Sequence, residues 1–184
     1  MSINLRKLKK EEIRVRVLTI NDWYVNIVLY IDPRTVIDVL DESVGNTNWK
    51  KITNANGDVA NTTISIWDSE KNQWIAKNDY GSGTSAENTK STANSLEKAA
   101  STDSFKRAAV LWGIGKELHP KMNMSIKKTA LGLNKEDKKF YKNLYIENLK
   151  YDENNNDIAA MSIKCEGIEN PVAVFDFKNG KNLI

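Results

Sequence analysis

STDSFKRAAVLWGIG, residues Ser101 to Gly115, has no glycine or proline before Gly113 and closes on a Gly-x-Gly stop. It reads as the second half of a long helix over 92–114, unwound by Gly113 and Gly115, with Pro120 barring simple continuation. Phe105, Ala108, Ala109 and Trp112 recur at helical spacing and are expected to face a core, while Ala99 and Ala100 are small enough for close packing. Lys98, Thr102 and Lys106 follow one another at steps of four and make a polar stripe. Eight residues of helix span ~12 Å, which suits contacts to consecutive phosphates of an extended strand. Arg107 lies one turn from Asp103, so pattern alone gives it an intrahelical ion pair.

Outward from this helix the chain reads mainly as strands. Ile13, Val15 and Val17 alternate with Arg14, Arg16 and Leu18, a half-buried strand. Asn21-Asp22 is a turn signal, and Tyr24 to Ile31 completes a hairpin. Arg14 and Arg16 share one strand face, and a solvated face opposite the core accounts for both. Asp32-Pro33 opens a short helix lined by Val36, Ile37, Leu40 and Val44 and stopped by Gly45. Beyond Trp49, Asn56-Gly57 turns a second hairpin. Thr63 to Trp67 and Gln73 to Lys77 make another, and Tyr80 to Lys90 is rich in Gly, Ser, Thr and Asn and reads as a loop. Residues 120–143 form a lysine-rich connector with a short helix near Lys135 to Tyr141. Leu144 to Tyr151 and Ile158 to Cys165 flank the acidic turn Asp152 to Asp157, and Val172 to Phe177 adds a third strand.

Composition excludes more than it suggests. A chain of 184 residues usually makes one domain with room for a real core. One cysteine, Cys165, rules out an internal disulfide and a cysteine-based zinc cluster, and a single His119 argues against a histidine-dependent metal site or triad. No apolar run approaches the ~20 residues a membrane helix needs, and the basic N-terminus has no signal-peptide core. The net charge of +3 is mild, but Arg6, Lys7, Lys9, Lys10, Arg14 and Arg16 cluster early, and Lys121, Lys127, Lys128, Lys135, Lys138, Lys139 and Lys142 cluster late. Basic surfaces give sequence-independent phosphate affinity, although charge runs are commonly just solvated. The five tryptophans, Trp23, Trp49, Trp67, Trp74 and Trp112, are expected mostly in cores or interfaces, with Trp67 and Trp74 the least settled. Gly81-Ser82-Gly83-Thr84-Ser85 lacks the final Gly-Lys-Ser/Thr of a P-loop, so no site for nucleotide hydrolysis is read.

Thr102-Asp103-Ser104-Phe105-Lys106-Arg107-Ala108 resembles the signature helix of the Rad-fifty-two-type single-strand annealing proteins, including their phage-encoded Sak-type members. Lys90 to Ala99 is similar to the eukaryotic version of the preceding region, and Ile13-x-x-Arg16, Tyr30-Ile31, Arg34 to Gly45 and Trp49 keep the family's order. The resemblance covers roughly residues 11–118. It implies that Lys106 and Arg107 lie in a groove for single-stranded DNA and that Arg16 is the first-strand arginine that contacts it. Lys98 matches a basic position of the phage type and Lys90 one of the eukaryotic type. Lys98 is preferred because it needs no gap to the Lys-Arg pair. Arg14 shares the strand face without such a warrant. Asp58 stands where the eukaryotic proteins carry a DNA-binding lysine, which speaks against a second site there.

The expected fold is α+β: an antiparallel sheet of a hairpin, a short helix and a meander, a long helix packed across it, and a C-terminal β-hairpin appendage. The expected domains are an annealing core at 1–118 and a connector plus appendage at 119–184. The expected function is binding and annealing of single-stranded DNA without ATP, in phage-type recombination and DNA repair. No enzyme activity, cofactor or metal is expected. The expected partners are single-stranded DNA, further copies in a ring or filament, and a phage exonuclease or single-strand-binding protein, in a bacterial host cytoplasm. A passive single-strand coating protein and, less readily, a metal-dependent nuclease are the competing readings.

Overall fold

The computed structural model describes residues 3–83, 93–121, 124–154 and 157–182. In chain order its elements are β1 (Ile13–Ile20), β2 (Tyr24–Ile31), α1 (Pro33–Val44), β3 (Trp49–Asn56), β4 (Val59–Asp68), β5 (Gln73–Ser82), α2 (Ala93–Leu111), β6 (Met124–Lys127), β7 (Leu144–Tyr151), β8 (Ile158–Cys165), β9 (Ala173–Asp176) and β10 (Lys181–Asn182). This is the expected α+β class. The chain divides into two units, one of residues 1–7 and 33–116, the other of 8–32 and 117–184. Among the described residues no helix is long and apolar enough to cross a membrane.

In the first unit β3, β4 and β5 form an antiparallel meander. Gly57 takes the left-handed backbone (φ 62°) at the β3–β4 turn, a conformation that costs an L-residue energy. Directly paired residues share a face. Thr62 and Ile64 of β4 therefore look the same way as Thr53 and Lys51 of β3 and Asp79 and Lys77 of β5. α2 packs over β4 and β5, burying Ala100, Ser104, Phe105, Ala108 and Ala109. The approach is close enough to need glycine. A Cβ on Gly81 would meet the backbone of Ser104, 2.7 Å from its Cα, and one on Gly83 would meet the backbone of Leu96. Under the helix, the buried Thr62 and Ser104 hydroxyls bond at 2.7 Å and Thr62 bonds Thr53 at 2.8 Å. α1 buries Thr35, Val36, Val39 and Leu40, and Gly45 ends it at φ 86°. Trp49 donates its indole N–H to Asp41 of α1 at 2.6 Å, and Arg6 pairs with Glu42 at 2.7 Å.

In the second unit the strands form one seven-stranded sheet in the order β10-β9-β8-β7-β1-β2-β6. β1 and β2 pair from Ile13↔Ile31 to Ile20↔Val25, with an irregularity between Val17 and Thr19. Val25, Ile27 and Leu29 of β2, Ile126 of β6, Ile146 of β7 and Ile163 of β8 supply buried side chains, as alternation along strands requires.

Several expectations change here. The C-terminal strands do pair as a hairpin, but β7 lies beside β1, so they extend the sheet that holds the N-terminal hairpin. The contacts accordingly do not divide near residue 118. The long helix is shorter than 92–114, ending at Leu111, with Gly113 at φ 96° and Gly115 at φ 74° after it. Ile37 remains exposed, and Val39 takes the buried place on α1 instead. Tyr80 to Ser82 belong to β5; their small residues serve the approach of α2. Residues 84–90 of the expected loop lie outside the described residues. No helix forms at 135–141: the buried Lys128 ammonium takes the carbonyls of Lys135 (2.8 Å) and Asp137 (2.6 Å), acceptors a helix would need. Within the connector, Met124–Lys127 instead forms β6.

Candidate nucleic-acid interface

α2 places the basic residues that its sequence singled out. Because Phe105 and Ala108 turn inward, Lys106 and Arg107 emerge between the buried positions, Lys106 partly buried and Arg107 exposed. Lys98 is exposed two turns earlier. Lys106 makes no ion pair among the described residues. Arg107 does, but not within its helix: its Nε stands 3.5 Å from Asp79 on β5. Asp103 accepts the backbone N–H of Ser82 at 3.3 Å instead, so it helps pin α2 to β5. The Arg107–Asp79 pair is largely solvated, with side-chain exposures of 57% and 30%, and such pairs contribute ~0–1 kcal/mol. Arg107 is thus open to exchange its carboxylate for a phosphate. Lys90 lies outside the described residues.

β1 presents the exposed Arg14 and Arg16 on one face, across from Tyr30 and the buried Val28 of β2. The Arg16 guanidinium sits 5.9 Å from the centre of the Tyr30 ring, a cation–π distance. Tyr30 therefore joins this face as an exposed aromatic beside two cations. Its alternation out of the apolar β2 run was the available signal, and the sequence reading did not use it. The structure thus groups Arg14 with Arg16 in one unit and Lys98, Lys106 and Arg107 in the other.

Three other lysines of the first unit are engaged with its packing. Lys50 lies over Trp74 (4.3 Å), Lys51 over Phe105 (4.6 Å) and Lys77 over Trp112 (4.5 Å). Lys77 also donates to the carbonyl of Leu111 at 2.8 Å, a cation at a helix C-terminus, where the dipole favours it. Trp67 and Trp74 meet edge to face at 5.5 Å, and Trp112 donates to the Ile64 carbonyl at 3.1 Å. Trp23 is not in a core of this chain and stands 65% exposed.

A family model now adds to this geometry. That of the Rad52/22 family of double-strand break repair proteins matches residues 5–140. The chain belongs to this family. The Rad52/22 match contains the whole first unit from Leu5 onward, with α2 and its Lys-Arg pair, and the β1–β2 hairpin with Arg14 and Arg16. It runs past the resemblance seen in the sequence and takes in β6 and the segment up to Phe140. No curated protein matches the chain in sequence. As a Rad52/22 protein, it is a protein of DNA repair and recombination.

Proposed function

We propose that this protein binds single-stranded DNA and anneals complementary strands without ATP, as in phage-type recombination, and that it works as a ring or filament of many copies. The observation that carries this reading is the Lys106-Arg107 pair on a helix seated by Gly81 and Gly83 against β5, in a chain of the Rad52/22 family. Lys98, Lys106 and Arg107 on the first unit take phosphates of single-stranded DNA, and so do Arg16 and Arg14 on the second. Lys90 is the alternative to Lys98 as the upstream contact. Tyr30 offers a stacking face beside Arg16. Phosphate contacts hold the backbone and leave base edges free. A second strand then samples register until pairing succeeds, and pairing supplies the free energy. No catalytic residue, metal or cofactor enters this scheme. A phage exonuclease or single-strand-binding protein is a fitting further partner, and the bacterial host cytoplasm a fitting setting.

An annealing assay with complementary labelled strands, free of ATP and divalent metal, tests it. Faster pairing than in protein-free controls is expected, with rings or arcs in negative-stain images. Binding that blocks pairing would instead show a passive coating protein, and metal-dependent loss of labelled strand a nuclease.

A further inference from the structure

The second unit carries another meeting of aromatics and cations, at the β1–β2 turn. Asn21 Oδ1 accepts the backbone N–H groups of Trp23 (2.9 Å) and Tyr24 (2.7 Å). The Trp23 carbonyl accepts the N–H of Lys128 at 2.9 Å. Lys128 is only 3% exposed, rare for a lysine. Its ammonium is spent on the Lys135 and Asp137 carbonyls, which fixes the course of that segment beside the turn. Lys135 is thereby held with its ammonium 4.8 Å from the centre of the Trp23 ring, and Lys138 reaches Asp22 at 2.8 Å. Lys127 is exposed and pairs across from Tyr24.

With Lys135 against it, the Trp23 indole is still 65% exposed. Packing does not explain so large an apolar ring in water at a rigid turn. The cations placed beside it are Lys135 and Lys138, with exposed Lys127 across from Tyr24. Both Lys138 (2.8 Å) and Lys135 (4.0 Å) reach the Asp22 carboxylate, and the hydrogen bond from Lys138 holds that carboxyl below its ordinary pKa. An open π-face with solvent-exposed lysines beside it matches an unpaired base on a phosphate backbone. A duplex keeps its base faces stacked, and an acidic peptide has no need of the indole.

We infer that Trp23 stacks an unpaired nucleobase while Lys135 and Lys138 take the flanking phosphates, a single-strand contact made by residues other than Arg16 and those of α2. It rests on the proposed single-strand binding, and its test separates the two. Anisotropy of a fluorescein-labelled oligothymidylate is measured across salt concentrations, with thermal melts confirming folding. Trp23→Ala should weaken binding roughly 5- to 150-fold, the range for one lost base–aromatic stack, with the salt slope unchanged. Trp23→Phe should keep most of the affinity. Lys135→Ala with Lys138→Ala should lower the salt slope by ~0.7 per contact. Wild-type affinity in Trp23→Ala overturns the inference. If Lys106→Ala with Arg16→Ala still weakens binding in that case, the proposed function stands without it; if no variant changes affinity, both fail. Equal weakening of duplex binding, or capture of polyglutamate by these lysines with no effect on the oligothymidylate, also overturns it.

Discussion

Replacing Gly81 by alanine tests the seat of α2 directly. The new Cβ would meet the Ser104 backbone, with Ser104 Cα at 2.7 Å where ordinary contact starts at 3.4 Å. Backbone cannot swing aside as a side-chain tip does, so α2 must lift from β5 by at least about 0.7 Å, the difference of those two distances. Overpacking of this kind costs ~1–3 kcal/mol. The same lift strains the buried Thr62–Ser104 hydroxyl bond of 2.7 Å, whose loss adds ~1 kcal/mol. The sum of ~2–4 kcal/mol, at ~2–4 °C per kcal/mol for a chain of this size, lowers Tm by about 4–16 °C. Differential scanning calorimetry reads this, and single-strand affinity measured well below Tm should fall too, because Lys106 and Arg107 ride on the displaced turn. Gly57→Ala is the contrast: nothing lies within 4 Å of its Cβ, so only the left-handed backbone is penalised, ~1 kcal/mol. A Gly81→Ala protein that melts like the parent and binds like it would refute the close-approach argument.

Three further outcomes are expected. Lys106→Ala with Arg16→Ala should reduce the salt slope of oligothymidylate binding by ~0.7 for each lost phosphate contact; a folded double variant with unchanged affinity and slope removes both residues from the interface. Truncation before Leu144 should abolish cooperative unfolding of the second unit, because it strips β7 from β1 and leaves an open edge; a soluble truncation with a sharp melt contradicts this. Glu117→Gln should raise Tm at neutral pH. Burial pushes the Glu117 carboxyl above its ordinary pKa, so the fold favours the protonated form. That contribution is present below the unfolded-state value and is lost as pH rises through the raised one. Gln keeps an acceptor for the Tyr151 hydroxyl, now 3.2 Å from Glu117; an advantage that persists unchanged into acid would exclude the carboxyl as its source.

Sequence reading recovered what local chemistry dictates. Asn21-Asp22 and Asn56-Gly57 marked real turns, Asp32-Pro33 and Gly45 bounded α1, and the 3.6-residue spacing of Phe105, Ala108 and Ala109 identified the buried side of α2. It missed what depends on distant partners. Asp79 lies 28 residues before Arg107, so the i,i+4 rule offered Asp103 instead. Tyr80 to Ser82 look like loop residues because the glycine that α2 demands is also a loop former. Met124–Lys127 is too short to show a period, and it becomes a strand because Asn26 and Val25 wait across from Ser125 and Ile126. Of the candidate contacts, Lys106, Arg107 and Arg16 were legible as motif residues and Tyr30 was legible from strand alternation, whereas the exposure of Trp23 is set by pairing that the sequence does not print.

The division of the chain also bears on how it is made. Residues 33–116 are an insertion between β2 and β6, whose pairing Tyr24↔Lys127 closes a loop of about a hundred residues. On the ribosome the N-terminal hairpin emerges first and cannot complete its sheet until the last third of the chain is synthesised. The inserted unit, whose meander and helix are neighbours in sequence, can fold while the hairpin waits. Local contacts form quickly and distant ones slowly, so refolding should show a fast phase from the insertion and a slow one from closure of the sheet. For a protein proposed to assemble in many copies, that delay is the interval in which the bare edges of β1 and β2 can pair with the wrong chain.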